Sequence, residues 1–168
     1  MNGATHLLVL AGLASCAPRN AAPPSSEQRV DVSAPTTPVV ALERTACFGR
    51  CPVYRISVSP SGAVFYEGRA HVRHLGEATA QVPADSVRAL LSELDRAGYF
   101  SFADRYAAAE PSCGRYATDL PTVITTVRLK DRTKRIEHDY GCGAAPGALR
   151  VLERRIDKVL NSGQWTGH

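Results

Sequence analysis

The sequence predicts an α+β domain: a two-layer sandwich whose antiparallel sheet of about four to five strands carries two helices on one face. Two observations predict this class. Apolar and polar residues alternate on both sides of a turn in two separate stretches, and each stretch is followed by a segment with apolar residues at helical spacing. Hairpins that are each followed by a helix, in the order ββ(β)α-ββα, are typical of an antiparallel sheet covered on one face.

The first hairpin is predicted from strands at residues 53–58 and 63–68, joined by the turn-forming residues 59–62. A third short strand is expected near residues 70–75 or 79–82. The next segment, residues 84–97, is predicted as an amphipathic helix that Pro83 and Asp85 begin and that Gly98 ends in the left-handed conformation. Its apolar stripe consists of Val87, Leu90, Leu91 and Leu94.

A loop at residues 104–121 precedes the second half of the domain. Residues 122–130 and 133–139 are predicted as a second hairpin with a turn at residues 131–132. Pro146 then begins the final helix. The stripe of this helix consists of Leu149, Leu152, Ile156, Val159 and Leu160.

Composition restricts the function classes. The chain has 168 residues, 44% of them hydrophobic, and a net charge of +4 that is spread along the sequence. The dispersed charge argues against nucleic acid as a partner. The longest apolar run, residues 7–14, is too short to cross a bilayer, so any membrane attachment requires an anchor.

The amino terminus predicts such an anchor. Residues 1–15 have the length and apolar centre of a secretory signal peptide. The run Leu13-Ala14-Ser15-Cys16 resembles the lipobox of bacterial lipoproteins, which implies cleavage before Cys16 and acylation of this residue. More than one acyl chain is needed for stable binding to the membrane.

Residues 16–41 are rich in Pro, Ala and Ser and are predicted as a disordered tether, with a single folded domain at residues 42–165. Ala17 is not the aspartate associated with retention in the inner membrane. The resemblance therefore implies an exported protein anchored to the outer membrane and facing the periplasm. Its expected partners are this membrane and an envelope protein or glycan.

The most distinctive run is Arg44-Thr45-Ala46-Cys47-Phe48-Gly49-Arg50-Cys51-Pro52-Val53-Tyr54. It resembles the R-T-x-C-F-G-x-C-P-x-Y motif of DUF6438, a bacterial domain family of unknown function. The similarity continues through residues 66–68, 98–100, 118–122 and 139–141. It implies a small exported or lipid-anchored domain without an assigned activity. The motif surface that it implies consists of Arg44, Thr45, Phe48, Gly49, Pro52, Tyr54, Asp119, Pro121 and Tyr140.

Four cysteines remain in the predicted domain, and disulfides are the expected state of an exported chain. Of the three possible pairings, we favour Cys47 with Cys51, which are close in sequence, and Cys113 with Cys142, which both lie beside loops at the second hairpin. Cys113 and Cys142 are additions to the family pattern. The Cys47–Cys51 pair is expected to be a structural disulfide. Redox activity is the alternative, because Arg44 and Arg50 nearby could lower the pKa of a thiol.

Other polar residues favour structural roles. His71, His74 and His138 are expected to be solvated or packed, so no metal and no cofactor are assigned. Asp119 is expected to cap a turn, because no partner for a catalytic acid is evident. Five basic residues crowd the second hairpin and are expected on the solvent face, with anion binding as the alternative. They are Arg128, Lys130, Arg132, Lys134 and Arg135.

These observations favour a non-catalytic envelope lipoprotein whose domain binds a partner or serves structurally. No catalytic constellation is present in the sequence. The first alternative is a thiol-disulfide redox protein that works through Cys47 and Cys51. The second is a binder of anionic envelope components through the basic hairpin at residues 128–135.

Overall fold

The computed structural model describes Met1, Gly3 and residues 37–167. The predicted signal peptide, Cys16 and most of the tether lie outside the described residues. In the described part, no helix has the length and apolar character that a membrane crossing requires.

One sheet of seven strands and two main helices form the domain. The strands are β1 (Val40–Arg44), β2 (Val53–Val58), β3 (Ala63–Ala70), β4 (Gly76–Gln81), β5 (Arg105–Tyr106), β6 (Thr122–Leu129) and β7 (Arg132–Asp139). The helices are α1 (Ala84–Arg96), α2 (Gly147–Leu160) and the single turn α3 (Gly163–Thr166). A 3₁₀ turn, Tyr99–Ser101, follows α1.

The strand order is β4-β3-β2-β1-β6-β7-β5, and every neighbouring pair is antiparallel except β5 and β7. The two predicted hairpins, β2–β3 and β6–β7, are therefore joined edge to edge by β1. Leu42 of β1 faces Ile56 on one side and Thr125 on the other, so these three side chains point to the same face of the sheet.

The core fills the space between this face and the helices. Buried residues alternate along β3 and β6, and α2 packs across β1 and β2 beside α1. Leu90 and Leu94 of α1 and Leu149 and Ile156 of α2 are fully buried in one continuous cluster. Burial of apolar area at about 25 cal/mol per Å² is the main term that stabilises this layer.

The prediction of a mixed α+β fold is confirmed, but the predicted number of strands is too low. The additional strands include β1 and β5, which the sequence does not predict. β1 has five residues and leads directly into the cysteine motif, and β5 has two residues within the predicted 104–121 loop. The first three residues of β1, Val40-Ala41-Leu42, are all apolar and show no apolar–polar alternation, and β5 is too short to show any pattern.

Helix boundaries follow the sequence signals closely. Pro83 and Pro146 occupy the N-cap positions of α1 and α2. Gly98, with φ of 77°, adopts the predicted left-handed conformation after α1. Asn161 ends α2 in the same conformation with φ of 54°, which Asn tolerates better than most residues.

Candidate functional site

The family motif forms the connection between β1 and β2, and we call residues 45–52 the motif loop. The disulfide between Cys47 and Cys51 closes this loop upon itself. Thr45 binds Thr122 twice: its N–H donates to the Thr122 carbonyl at 3.0 Å, and its hydroxyl accepts from the Thr122 N–H at 2.9 Å. The N–H of Phe48 donates to the Asp119 carbonyl at 3.1 Å. The loop is therefore fixed to the segment that leads into β6.

The tip of the motif loop faces solvent. The Phe48 side chain is 88% exposed, and Gly49 and Arg50 beside it are exposed as well. Gly49 has a φ of 147°, which residues with a side chain rarely adopt. The backbone of the tip is thus constrained, while the Phe48 side chain is not part of the core that the described residues form.

The two strands that flank the motif loop both form hydrogen bonds with one carboxylate on α2. Arg44, the last residue of β1, donates from Nη2 and Nε to Oδ2 of Asp157 at 2.6 and 3.0 Å. Tyr54 of β2 donates its hydroxyl to Oδ1 of Asp157 at 2.5 Å. Ser162 donates to the same Oδ1 at 3.0 Å. Arg44 and Tyr54 lie opposite each other in the β1–β2 ladder, which places both within reach of the helix.

A second carboxylate extends this cluster into the core. Tyr140 accepts from Nη1 of Arg44 at 3.3 Å and donates to Oε2 of Glu153 at 2.8 Å. The other oxygen of Glu153 lies 2.7 Å from Nδ1 of His138, and both side chains are fully buried. The Arg150 guanidinium covers the Tyr140 ring at 4.1 Å. A continuous polar chain therefore runs from Asp157 to His138 beneath the motif loop.

The electrostatics of this cluster favour a charged Arg44 and neutral tyrosines. Burial alone would lower the pKa of Arg44, but the Asp157 carboxylate and the two tyrosine oxygens outweigh it and raise the pKa. Burial and then Asp157 raise the pKa of Tyr54. Burial and then Glu153 raise the pKa of Tyr140. At neutral pH the phenols therefore act as hydrogen-bond donors rather than as bases.

A cavity of about 610 Å³ opens beside the motif loop, and we call it the motif cavity. Its wall is mainly apolar, and its charged groups come from β1 and α2. The lining residues are Arg44, Cys51, Pro52, Tyr54, Pro121, Arg154, Asp157, Lys158, Asn161, Ser162, Gly163 and Thr166.

The structure thus brings the predicted motif residues together. Arg44, Tyr54 and Tyr140 meet at the α2 carboxylates, and Pro52 and Pro121 line the motif cavity. Asp119 lies beneath the loop tip with a φ of 71°, and its carboxylate accepts from the Thr118 hydroxyl at 2.8 Å.

Three members of the cluster were not found as site residues in the sequence: Glu153, Asp157 and Ser162. Glu153 is almost fully buried within the apolar stripe of α2, and Asp157 follows it four residues later. Two carboxylates one turn apart on a helix share a face. An acid inside an apolar stripe was the available signal, because such a position requires a buried partner.

The second disulfide joins Cys113 to Cys142, and both residues are buried. Both bridges match the pairing favoured from the sequence. Cys47 and Cys51 are only partly buried, so their disulfide is the more accessible of the two.

The five basic residues of the second hairpin do not form one surface. Arg132 pairs with Asp95 at 2.9 Å and Arg135 with Glu137 at 3.5 Å. Lys134 pairs with Asp104 and donates to the Phe102 carbonyl at 2.6 Å. The other two, Arg128 and Lys130, are exposed, and Arg128 donates to the Pro38 carbonyl at 2.8 Å.

The histidines are separate from one another. His71 is exposed, the His74 ring lies 3.1 Å from the Glu77 carbonyl, and His138 is buried against Glu153. Within the part of the chain that the structure describes, Nε2 of His138 has no hydrogen-bond partner, but the His138 ring packs edge-on against Tyr106 at 5.9 Å. Across residues 37–167, no three His, Cys, Asp or Glu side chains converge in a way that could hold a metal ion.

Comparison with protein families identifies one family for this chain. The site is a disulfide-closed loop on a small α+β domain, anchored to a helix by an Arg-Tyr-Asp cluster. The chain belongs to the family described as Domain of unknown function (DUF6438), whose model matches residues 38–160. A search of the curated proteins finds no match to the chain.

Proposed function

We propose that this protein is a non-catalytic lipoprotein of the bacterial cell envelope and that its domain binds an envelope protein through the tip of the motif loop. The observation that carries the proposal is the 88% exposure of the Phe48 side chain on a loop whose backbone is held by hydrogen bonds and by a disulfide. An exposed aromatic ring contributes nothing to the core of the domain.

The rigidity of the loop supports a binding role. Thr45 and the Phe48 N–H form hydrogen bonds with the segment before β6, and the disulfide closes the loop. Asp157 binds Arg44 and Tyr54, which lie in the two strands that flank the loop. A loop whose backbone is already ordered loses little backbone conformational entropy when its side chain enters a pocket of a partner. Aromatic residues commonly dominate the binding free energy of protein interfaces.

The charge beside Phe48 indicates the character of the partner. Arg50 is exposed, and its side chain has no ion pair among residues 37–167. A pocket that accepts Phe48 is therefore expected to be apolar with an acidic rim. Glycan binding would instead use a flat aromatic platform, and it is an alternative outcome of the experiment below.

The experiment is site-specific photocrosslinking in the intact envelope. Phe48 of the full chain is replaced by p-benzoylphenylalanine, and Leu75, which is 65% exposed on a different loop, serves as the matched control. We expect one protein adduct at position 48 that is absent at position 75 and that disappears in the Cys47→Ser/Cys51→Ser variant. Equal labelling at both positions, or an adduct with a glycan, would contradict the proposal.

Lipid anchoring through Cys16 is the second part of the proposal, and it rests on the Leu-Ala-Ser-Cys run. We expect the full chain to take up radiolabelled palmitate and to enter the detergent phase of Triton X-114 extracts. The Cys16→Ala variant should do neither. A chain that remains in the aqueous phase with Cys16 intact would overturn the anchor.

Thiol-disulfide exchange is the second candidate function, and the partial exposure of the Cys47–Cys51 bridge favours it. In that case Cys51→Ser should trap a mixed disulfide between Cys47 and a substrate protein. The bridge should also open at about −200 mV or above, whereas structural bridges resist reduction below about −300 mV. A resistant bridge with no trapped partner would exclude the redox role.

A further inference from the structure

We propose that the motif cavity binds a small organic anion with an apolar body, and that Arg154 and Lys158 hold its anionic group. This site is separate from the exposed loop tip and extends the function beyond partner binding.

The dimensions and lining of the cavity fit such a ligand. A volume of about 610 Å³ lies within the range of about 300–1,000 Å³ that is typical of small-molecule sites. Cys51, Pro52 and Pro121 supply an apolar wall that can cover a ring or an acyl segment. The Cys47–Cys51 disulfide and the hydrogen bonds of the motif loop hold this wall in place without a ligand.

The charges of the cavity are not balanced. Its lining contains three cations and one carboxylate. The carboxylate of Asp157 is used by Arg44 and Tyr54 at 2.5–3.0 Å, so this pair offers little charge to a ligand. Arg154 and Lys158 are exposed, and neither side chain has an ion pair or a hydrogen bond within residues 37–167. The net charge that an entering ligand encounters is therefore positive.

The positions of the two free cations also favour an anion. Arg154 and Lys158 lie four residues apart on α2, so they share one face of the helix and repel each other. An anion between them removes this repulsion and gains charge-assisted hydrogen bonds from both. Asn161 lines the cavity one turn further along and can donate through its side-chain amide.

Two fluorescent probes with the same ring system test the proposal on the full chain. One is 8-anilinonaphthalene-1-sulfonate, and the other is N-phenyl-1-naphthylamine, which lacks the sulfonate. We expect saturable binding of the sulfonate probe at one site and at least about tenfold weaker binding of the neutral probe. Equal binding of both probes would overturn the proposal, because the cations would then play no part.

The variant Arg154→Gln/Lys158→Gln should weaken binding of the sulfonate probe by about tenfold or more. The matched control is Arg96→Gln/Lys130→Gln, which removes two exposed charges outside the cavity and should leave the affinity within about twofold. Both variants change exposed positions and are expected to keep the thermal midpoint of the parent chain. Unchanged affinity in the first variant, or an equal loss in both, would contradict the assignment.

The natural ligand can come from a free metabolite or from a lipid headgroup, which share the same chemistry. Phenyl phosphate should displace the probe in both cases. Displacement of the probe by phosphatidylglycerol vesicles but not by phosphatidylcholine vesicles would identify a lipid source. Displacement by phenyl phosphate but by neither kind of vesicle would identify a soluble source. Failure of every anion to displace the probe would overturn the proposal. Phe48→Ala should not affect these titrations, so the result is independent of the loop-tip crosslinking.

Discussion

Asp157 is the shared hydrogen-bond acceptor of Arg44 and Tyr54, the first and last residues of the family motif. It accepts hydrogen bonds from the last residue of β1, the second residue of β2 and the turn after α2. Arg44 and Asp157 are only 15% and 17% exposed, so each charge has lost most of its water. Removing one partner from such a pair costs more than the pair itself contributes, because the other charge stays buried without compensation.

We therefore expect Asp157→Asn to lower the free energy of unfolding by about 2 to 3 kcal/mol, somewhat less than the loss for a fully buried pair. Asp95→Asn breaks the exposed pair with Arg132 and should cost less than about 1 kcal/mol. Urea unfolding followed by circular dichroism measures both values. Equal losses in the two variants would show that the Asp157 cluster has no special role.

The tyrosines of this cluster predict an alkaline limit to stability. Burial and Asp157 raise the pKa of Tyr54 above the value of about 10 in the unfolded chain. The folded state therefore favours the protonated phenol. This contribution is complete below about pH 10 and is lost progressively as the pH rises toward the folded-state pKa.

Urea unfolding at pH 8 and at pH 10.5 tests this dependence. Tyr54→Phe should lose less stability than the parent chain between these two values, because it has no phenol to ionise. Tyr116→Phe is the comparison at an exposed residue: the hydrogen bond to Asp139 raises the pKa of Tyr116 without burial of the phenol, so this variant should differ from the parent chain less than Tyr54→Phe does. A parent chain and a Tyr54 variant with the same pH dependence would contradict the proposed protonation.

At the same scale, the sequence located half of the site. Arg44, Tyr54 and Tyr140 were identified because they belong to recognisable motifs. Glu153 was not, although its place within the apolar stripe of α2 was a signal, and Asp157 was not, because an acid outside the predicted stripe looks solvated until its partner strands are known. The partners of Asp157 are distant in sequence: Arg44 is 113 positions away and Tyr54 is 103 positions away. Nothing local in a sequence records such a contact.

At the scale of elements, the sequence predicted best those helices and strands whose apolar residues form a clear pattern. Thirteen residues with a clear apolar stripe placed α1 within one residue of its observed end. β4 was expected only as one of two alternative segments, because Gly76–Gln81 has small side chains and little hydrophobic contrast. β1 was missed although it is the central strand, because Val40-Ala41-Leu42 does not alternate in polarity and directly follows the Pro- and Ala-rich segment predicted as the tether.

The two disulfides are expected to contribute unequally. Their cysteines are separated by 29 and 4 positions. Chain-entropy arithmetic gives about 3.5 kcal/mol for the Cys113–Cys142 loop and about 2 kcal/mol for the Cys47–Cys51 loop. Cys113→Ala/Cys142→Ala should therefore lower the thermal midpoint more than Cys47→Ala/Cys51→Ala does. Calorimetry measures both shifts, and the reverse order would show that the motif loop stabilises the domain more than its length suggests.

At the scale of the whole molecule, one continuous stretch of the chain forms the core that the structure describes. Among the described residues, every buried member of the core cluster lies between Val40 and Trp165. A chain that begins at residue 37 should therefore fold with the thermal midpoint of the full chain. A chain that begins at residue 46 lacks β1 and should not fold, because β2 and β6 would be left without the strand between them. A folded shorter chain would contradict the central role of β1.

The central position of β1 also has a mechanical consequence. The segment predicted to connect the domain to the membrane enters the fold at this strand. Each of its five residues is paired with both β2 and β6. A pull from the amino-terminal side acts along the strand, so it must shear two ladders simultaneously and cannot peel off an edge strand one bond at a time. Shear across both ladders makes this domain suited to staying folded when tension is applied along β1 from its amino-terminal end.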